Sequence, residues 1–452
     1  MTGNAADRAK RALRDAAWLN ARRVRAYAIM LLIAYAAMLV SPFLDATQGE
    51  GSDFLAFWGA AKLTVAGTPE LAYDLAAETA VQATTGIAGL FAFVNPPPFL
   101  LAIAPLGLLP YAVAWVVWSL AGWAIWLLVA RRILPQATLA IAAFPGAWLA
   151  ASHAQNGFLT GALLIGGVLA LKRSQALSGA LFGLLIVKPH LALLVPLWLL
   201  AGRKWTALVA GAISAVAVAL LSLAAFGLKT WQAWPQSFAV SAAIMRDSAD
   251  VFWLRMGTVY SAVRYHGGAD AALVAQALVT LACAALVVLV WRRTRDTDAS
   301  GALLLAATAL GSPYLFAYDL AFLALPVFWL VREGIERGFR PWERMGIVAL
   351  YFAPLIARAA ALPLELNLTP LAAAALTALV WTRLTLRSCR AKSGHVAPRV
   401  STFDPLDRKF IPSEVEGLDM SGNCKCPIDL SRTPARTPPQ PPATPVAGGP
   451  SA

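Results

Sequence analysis

Apolar runs at about 26–44, 97–109, 111–130, 137–151, 157–172, 176–187, 190–201, 206–226, 271–291, 301–312, 315–331, 345–361 and 369–386 fill most of the chain. Within them apolar residues neither alternate nor cluster on one stripe. They surround the segment, which is the pattern of helices in lipid or in a protein core. A spanning helix needs about 20 apolar residues, and several of these runs have that length. The run at 97–109 is shorter, and prolines flank it on both sides. It reads as a re-entrant or interfacial element, because proline removes a helix hydrogen bond and breaks the turn. The pattern therefore predicts an all-α polytopic membrane protein of about 10–13 transmembrane or re-entrant helices.

The connectors differ in charge. Residues 1–25 are basic, with Arg8, Lys10, Arg11, Arg14, Arg22, Arg23 and Arg25, and read as a cytoplasmic helix at the membrane surface. The first apolar run lacks a small-residue cleavage site, so it reads as a retained anchor. Residues 45–95 carry Asp45, Glu50, Asp53, Glu70, Asp74 and Glu78 against Lys62 alone. Further basic clusters fall at 131–132, 172–173, 203–204, 292–295, 332–344 and 383–392. Placing these inside puts both termini in the cytoplasm and the 45–95 and 227–270 loops outside a cell inner (plasma) membrane. The turns at 153–157, 188–190 and 312–319 then fall on the outer side, and short basic connectors on the other.

Composition agrees. The chain is 59% hydrophobic and 13% charged. Its net charge of +13 sits in the connectors, which fits the membrane and gives no indication of nucleic acid. Cys283, Cys389, Cys424 and Cys426 form no disulfide framework. The histidines show no ligand spacing, and no glycine-rich phosphate loop or nucleotide-binding βαβ unit is visible, so no metal and no cofactor are expected. Residues 393–452 are polar and proline-rich and read as a disordered tail.

Lys188-Pro189-His190 interrupts an apolar stretch from 174 to 202 that holds no other charge. A charge at membrane depth costs about 2.5–3.5 kcal/mol on insertion scales, so it points to a polar cavity. Lys188 and His190 suit a phosphate, or Lys188 is an interfacial lysine with its amine at the surface. Asp53 opens a short amphipathic helix in the interface and is either a reactive carboxylate or a helix cap. Gln155 and Asn156 can hydrogen-bond sugar hydroxyls, although Asn156-Gly157 is also a turn signal. Trp231, Trp234, Trp253, Arg246, Arg255 and Tyr260 fit an aromatic belt or a sugar-stacking surface equally. Asp319, beside Tyr318, either lines the cavity or caps a helix.

These residues resemble a family. Asp53 to Asp74 follow the pattern Asp-Phe-x-x-Phe-Trp-x-Ala-Ala, then Leu-x-x-x-Gly-x-Pro-x-x-x-Tyr-Asp, ending in Tyr73 and Asp74. The proline lip 96–99, Pro105 to Pro110, Trp118, Gln155 to Phe158, Gly179 to Gly183, Lys188-Pro189, Pro196 and 312–320 continue the match, from about 25 to 390. Together they are similar to glycosyltransferase family 87 of the GT-C superfamily, a mannosyltransferase-like group. The resemblance implies a GT-C-type bundle over 26–390. It implies an inverting hexosyltransferase that uses a polyprenyl-phosphate sugar donor and a lipid or glycan acceptor at the outer face. It makes Asp53 the general base, with Lys188, His190 and an arginine such as Arg255 at the donor phosphate. Gln155, Asn156, Tyr73, Asp74, Tyr318 and Asp319 complete the expected substrate-binding set. His190 stands where the family more often has Gln. Tyr314, Tyr318 and Asp319 stand where the mannolipid-making branch would carry a histidine. A transporter or flippase of a lipid-linked glycan is the competing class, and an inactive membrane subunit a third.

Overall fold

The structure is a computed structural model that describes the backbone of residues 5–392 apart from 90 and 248, leaving aside the side chains of 244–250 and 388–392. The chain divides into a unit at 1–397 and a unit at 398–452, so the tail expected at 393–452 lies outside the described residues. The described part is all-α apart from one isolated bridge between Met256 and Phe316. Among the described residues, six helices are long and apolar enough to cross a membrane: Ala21–Gln48, Tyr111–Ala130, Trp205–Ala233, Ala269–Arg292, Glu343–Ala361 and Thr369–Arg387. Shorter apolar helices include Phe54–Val65, Gly157–Ala170, Gln175–Val187 and Pro189–Ala201.

Length and burial run opposite ways. The long helices expose large apolar side chains such as Met30, Ile33, Leu120, Ile213, Leu278 and Leu281. Water would not tolerate so much apolar surface, but lipid does. The short helices Gly157–Ala170 and Thr297–Gly311 are buried on nearly every face and form the centre of the bundle. Their uniform hydrophobicity reflects burial in protein.

The Pro97–Leu108 segment is a chain of three short helical turns, as its prolines dictate. Gly107 lies so close to the Ala61 carbonyl that a Cβ would sit 2.4 Å from it. This lip covers one side of Phe54–Val65, and the segment 69–83 covers another. Phe54 to Ala61 are consequently all buried. The expected amphipathic interfacial helix is thus corrected: the helix is enclosed by protein, because its lip and the following helices take the place of lipid.

Trp205–Ala233 is broken at Gly227, whose φ of 77° suits glycine alone. Past that break the chain turns across the cavity end through Gln236–Asp247, Ala249–Arg255 and Val259–His266.

The opposite end is more than a set of basic connectors. Lys172 pairs with Asp298 at 2.7 Å and Arg332 with the same carboxylate at 3.0 Å. Arg387 reaches Asp296 at 3.1 Å and also pairs with Glu333, which takes Arg337 as well. Arg383 pairs with Glu343. These acids were not anticipated among the basic clusters. They neutralise the arginines that the helix ends bury and join 157–170, 297–311, 324–337 and 369–392. The N-terminal helix Ala5–Asp15 docks at this end, where Trp342 donates to the Arg14 carbonyl at 2.7 Å and Arg344 to that of Asp15 at 3.0 Å.

Candidate functional site

At the other end lies a cavity of about 520 Å³. Its wall comes from chain-distant pieces: Asp53 and Phe57, the lip residues Asn95 and Pro96, the turn Gln155-Asn156, Lys188 to His190, the crossing residues Trp234, Phe238 and Phe252, and Tyr314, Phe316 and Tyr318. Three side-chain donors pin these segments together. The Trp58 indole donates to the Leu109 carbonyl at 3.0 Å, the Tyr73 hydroxyl to that of Asn95 at 2.9 Å, and the Trp234 indole to that of Val94 at 3.2 Å. The Gly257 N–H donates to the Leu315 carbonyl at 2.6 Å and ties the crossing segment to the 312–319 turn.

Asp53 immediately precedes the helix Phe54–Val65 but makes no capping hydrogen bond, and its φ and ψ of −51° and −22° are already helical. A working N-cap has extended backbone and accepts from the first turn. Asp53 does neither. Its Oδ2 accepts from Gln155 Nε2 at 3.1 Å. The capping reading therefore describes Asp74 instead: it is exposed and accepts from the Ala77 N–H at 2.8 Å to start Leu75–Ala83.

The turn between Pro145–Ser152 and Gly157–Ala170 brings Gln155 and Asn156 to the wall. The left-handed residue there is Ala154, at φ 45°, rather than Asn156 or Gly157. The glycine has a different reason: a Cβ at 157 would lie 1.9 Å from the Tyr318 carbonyl oxygen. Only a bare Cα lets this turn press against the 312–319 segment.

That contact sets up a buried cluster. Lys188 Nζ donates to Asn156 Oδ1 at 3.1 Å and lies 2.5 Å from Asp319 Oδ1. Asp319 is fully buried, and its Oδ2 accepts from the Phe316 N–H at 3.1 Å. Lys188 also sits 5.4 Å from the centre of the Tyr318 ring, within cation–π range. Asp319 thus neutralises Lys188 from behind and is not itself at the wall. Of the two readings the cavity-lining one is not met: Asp319 orders its own helix start and reaches the cavity only through the lysine. The solvent-reaching lysine is not observed, because Lys188 is 7% exposed.

His190 lies on the wall with its ring 5.2 Å from that of Tyr314, and its buried Nε2 has no hydrogen-bond partner among the described residues. An orphaned ring nitrogen at a cavity is a ready contact for a ligand. Of the expected set, then, Asp53, Gln155, Asn156, Lys188, His190 and Tyr318 meet at one cavity. Tyr73 braces the lip instead. Arg255 is exposed and off the wall, while Phe252, one turn earlier on the same helix, is on it.

The sequence reading missed Phe91, Phe238, Ser241 and Phe316 on the wall. Phe238 and Ser241 had a signal, since a spacing of three residues puts them on one helix face.

The family model described as Glycosyltransferase family 87 matches residues 93–313. Through this stretch the chain is similar to glycosyltransferase family 87. The matched region contains the lip, the Gln155-Asn156 turn and Lys188 to His190, and it ends at Ser312-Pro313. Asp53 lies before it and Tyr318-Asp319 after it, yet the fold brings both to the family 87 core. No curated protein and no solved structure matches the chain. The protein is thus a membrane-embedded, glycosyltransferase-like member of the GT-C superfamily.

Proposed function

We propose that this protein transfers a hexose, with mannose one candidate, from a polyprenyl-phosphate donor to a lipid or glycan acceptor at the outer face of the plasma membrane. The observation that carries the reading is Asp53: a carboxylate at the cavity wall, free of any capping role, in the same cavity as Lys188 and His190. A sugar hydroxyl is a poor nucleophile until a base takes its proton. Asp53 takes that proton as the hydroxyl oxygen bonds to the anomeric carbon. The bond from that carbon to the phosphate oxygen breaks on the opposite face, and the polyprenyl phosphate leaves with the electron pair. The configuration inverts.

Lys188 reaches this cavity already paired with Asp319. Two of its three N–H donors are engaged, so it gives the leaving phosphate one hydrogen bond from a neutralised pair. His190 Nε2 is the second contact.

The test is transfer of label from polyprenyl-phosphate hexoses to membrane acceptors, with and without the protein. Asp53→Asn keeps the shape of the side chain and loses the base, and general-base catalysis contributes roughly 10²–10⁴-fold, so transfer drops by about that factor in a folded protein. Wild-type turnover in Asp53→Asn would remove Asp53 from the mechanism. Movement of a lipid-linked glycan without transfer would instead favour a flippase.

A further inference from the structure

Gln155 was expected to meet sugar hydroxyls, but its amide is largely occupied by the protein. Gln155 is 7% exposed, and its Nε2 donates to Asp53 Oδ2 at 3.1 Å. Its Oε1 accepts from the Asn156 N–H at 3.4 Å. Both ends agree on the orientation of the amide, because a carboxylate needs a donor opposite it. The backbone is fixed too: the Gln155 N–H donates to the Ala150 carbonyl at 3.1 Å, and Gly157 abuts Tyr318. The other oxygen of Asp53, Oδ1, has no hydrogen-bond partner among the described residues.

We propose that Gln155 is a positioning residue for Asp53, holding Oδ2 so that Oδ1 is presented to the acceptor hydroxyl. This rests on the reading of Asp53 as the base. A carboxylate beginning a helix and facing a cavity is otherwise free to rotate about its side-chain bonds. One donor on one oxygen selects the rotamer and leaves a single oxygen for the proton. The titratable groups facing Asp53 are Tyr111 from the helix Tyr111–Ala130, His153 from the turn, and Tyr314 and Tyr318 from the 312–319 segment. None of them makes the contact that Gln155 makes.

The test compares Gln155→Met, which keeps the bulk and removes the donor, with Gln155→Glu, which sets a second carboxylate beside the first. A hydrogen bond to a charged group is worth enough that kcat in Gln155→Met falls by about 10–100-fold, with acceptor KM little changed. Gln155→Glu also lacks the amide donor and lowers kcat by at least as much. A raised acceptor KM with kcat unchanged would overturn the proposal in favour of direct sugar contact. Full activity in Gln155→Met would overturn it as well.

The infrared carboxylate stretch of Asp53, assigned by its loss in Asp53→Asn, reads this hydrogen bond and needs no turnover. A wild type that transfers nothing, with a band that still shifts in Gln155→Met, sinks the function and keeps the pairing. An active wild type with an unshifted band sinks the pairing alone.

Discussion

Replacing Lys188 by methionine separates two roles that a simple loss of activity would confound. Asp319 has no exposure, and the Lys188 side chain has 8%. With the amine gone, Asp319 keeps only the Phe316 N–H, and its other oxygen is left charged and dry. Breaking a buried pair from one side costs about 3–5 kcal/mol, against a typical total stability of about 5–15 kcal/mol. Lys188→Met is therefore expected to unfold early in a denaturant series in detergent. Lys188→Met with Asp319→Asn removes both charges, and the asparagine oxygen still accepts from Phe316. Replacing both charges of a buried pair is often nearly neutral, so most of the lost stability returns. Binding of a polyprenyl-phosphate analogue does not return with it, because the donor to the phosphate is still missing. The readout is a double-mutant cycle in unfolding free energy, run beside analogue binding on the same samples. A coupling below about 0.5 kcal/mol would refute the buried pair. Analogue binding restored together with stability would remove Lys188 from the ligand.

Glu78 supplies a pH prediction: burial pushes its carboxyl well above the usual range, although Gln82 donates to it at 2.7 Å. Between the ordinary carboxylate range and that raised value, the folded loop holds a proton that the unfolded chain has lost, so stability falls as pH rises; Glu78→Gln flattens this slope and raises the thermal midpoint at neutral pH. Gly157→Ala forces a Cβ to 1.9 Å from the Tyr318 carbonyl, so either the turn or the 312–319 segment moves. Such overpacking costs about 1–3 kcal/mol, and transfer is lost more completely than thermal stability, because Asn156 and Asp319 no longer share Lys188.

The bundle was legible because lipid and a protein core ask for the same thing, continuous apolar helices. That identity also limited the reading: a helix enclosed by protein, such as 297–311, and a helix facing lipid look alike in sequence, and only packing separates them. Lys188 announced itself as a charge in an apolar run. Its partner did not, since Asp319 is 131 positions away and looked like a helix start. Gln155 pairs across 102 positions, and no local period marks it. The opposite end was misjudged for a similar reason. Arginines in connectors satisfy a topology rule by count, and the rule says nothing about Asp296, Asp298, Glu333 and Glu343 waiting to pair with them. Ala154 carries a positive φ that its residue type gives no reason to expect.

The separation of Lys188 from Asp319 also constrains how the molecule is made. A chain emerging from the ribosome delivers Lys188 to the bilayer when Asp319 is still 131 residues from being synthesised. Until then the lysine bears the cost of a lone charge at membrane depth, about 2.5–3.5 kcal/mol. Helix 175–183 and its partner beyond Pro189 therefore lack the counter-ion of Lys188 when they are made. They settle only when the 312–319 segment arrives with its carboxylate. Assembly of the bundle is thus gated late, and a nascent chain halted between these two residues is the form that membrane quality control would recognise as unfinished.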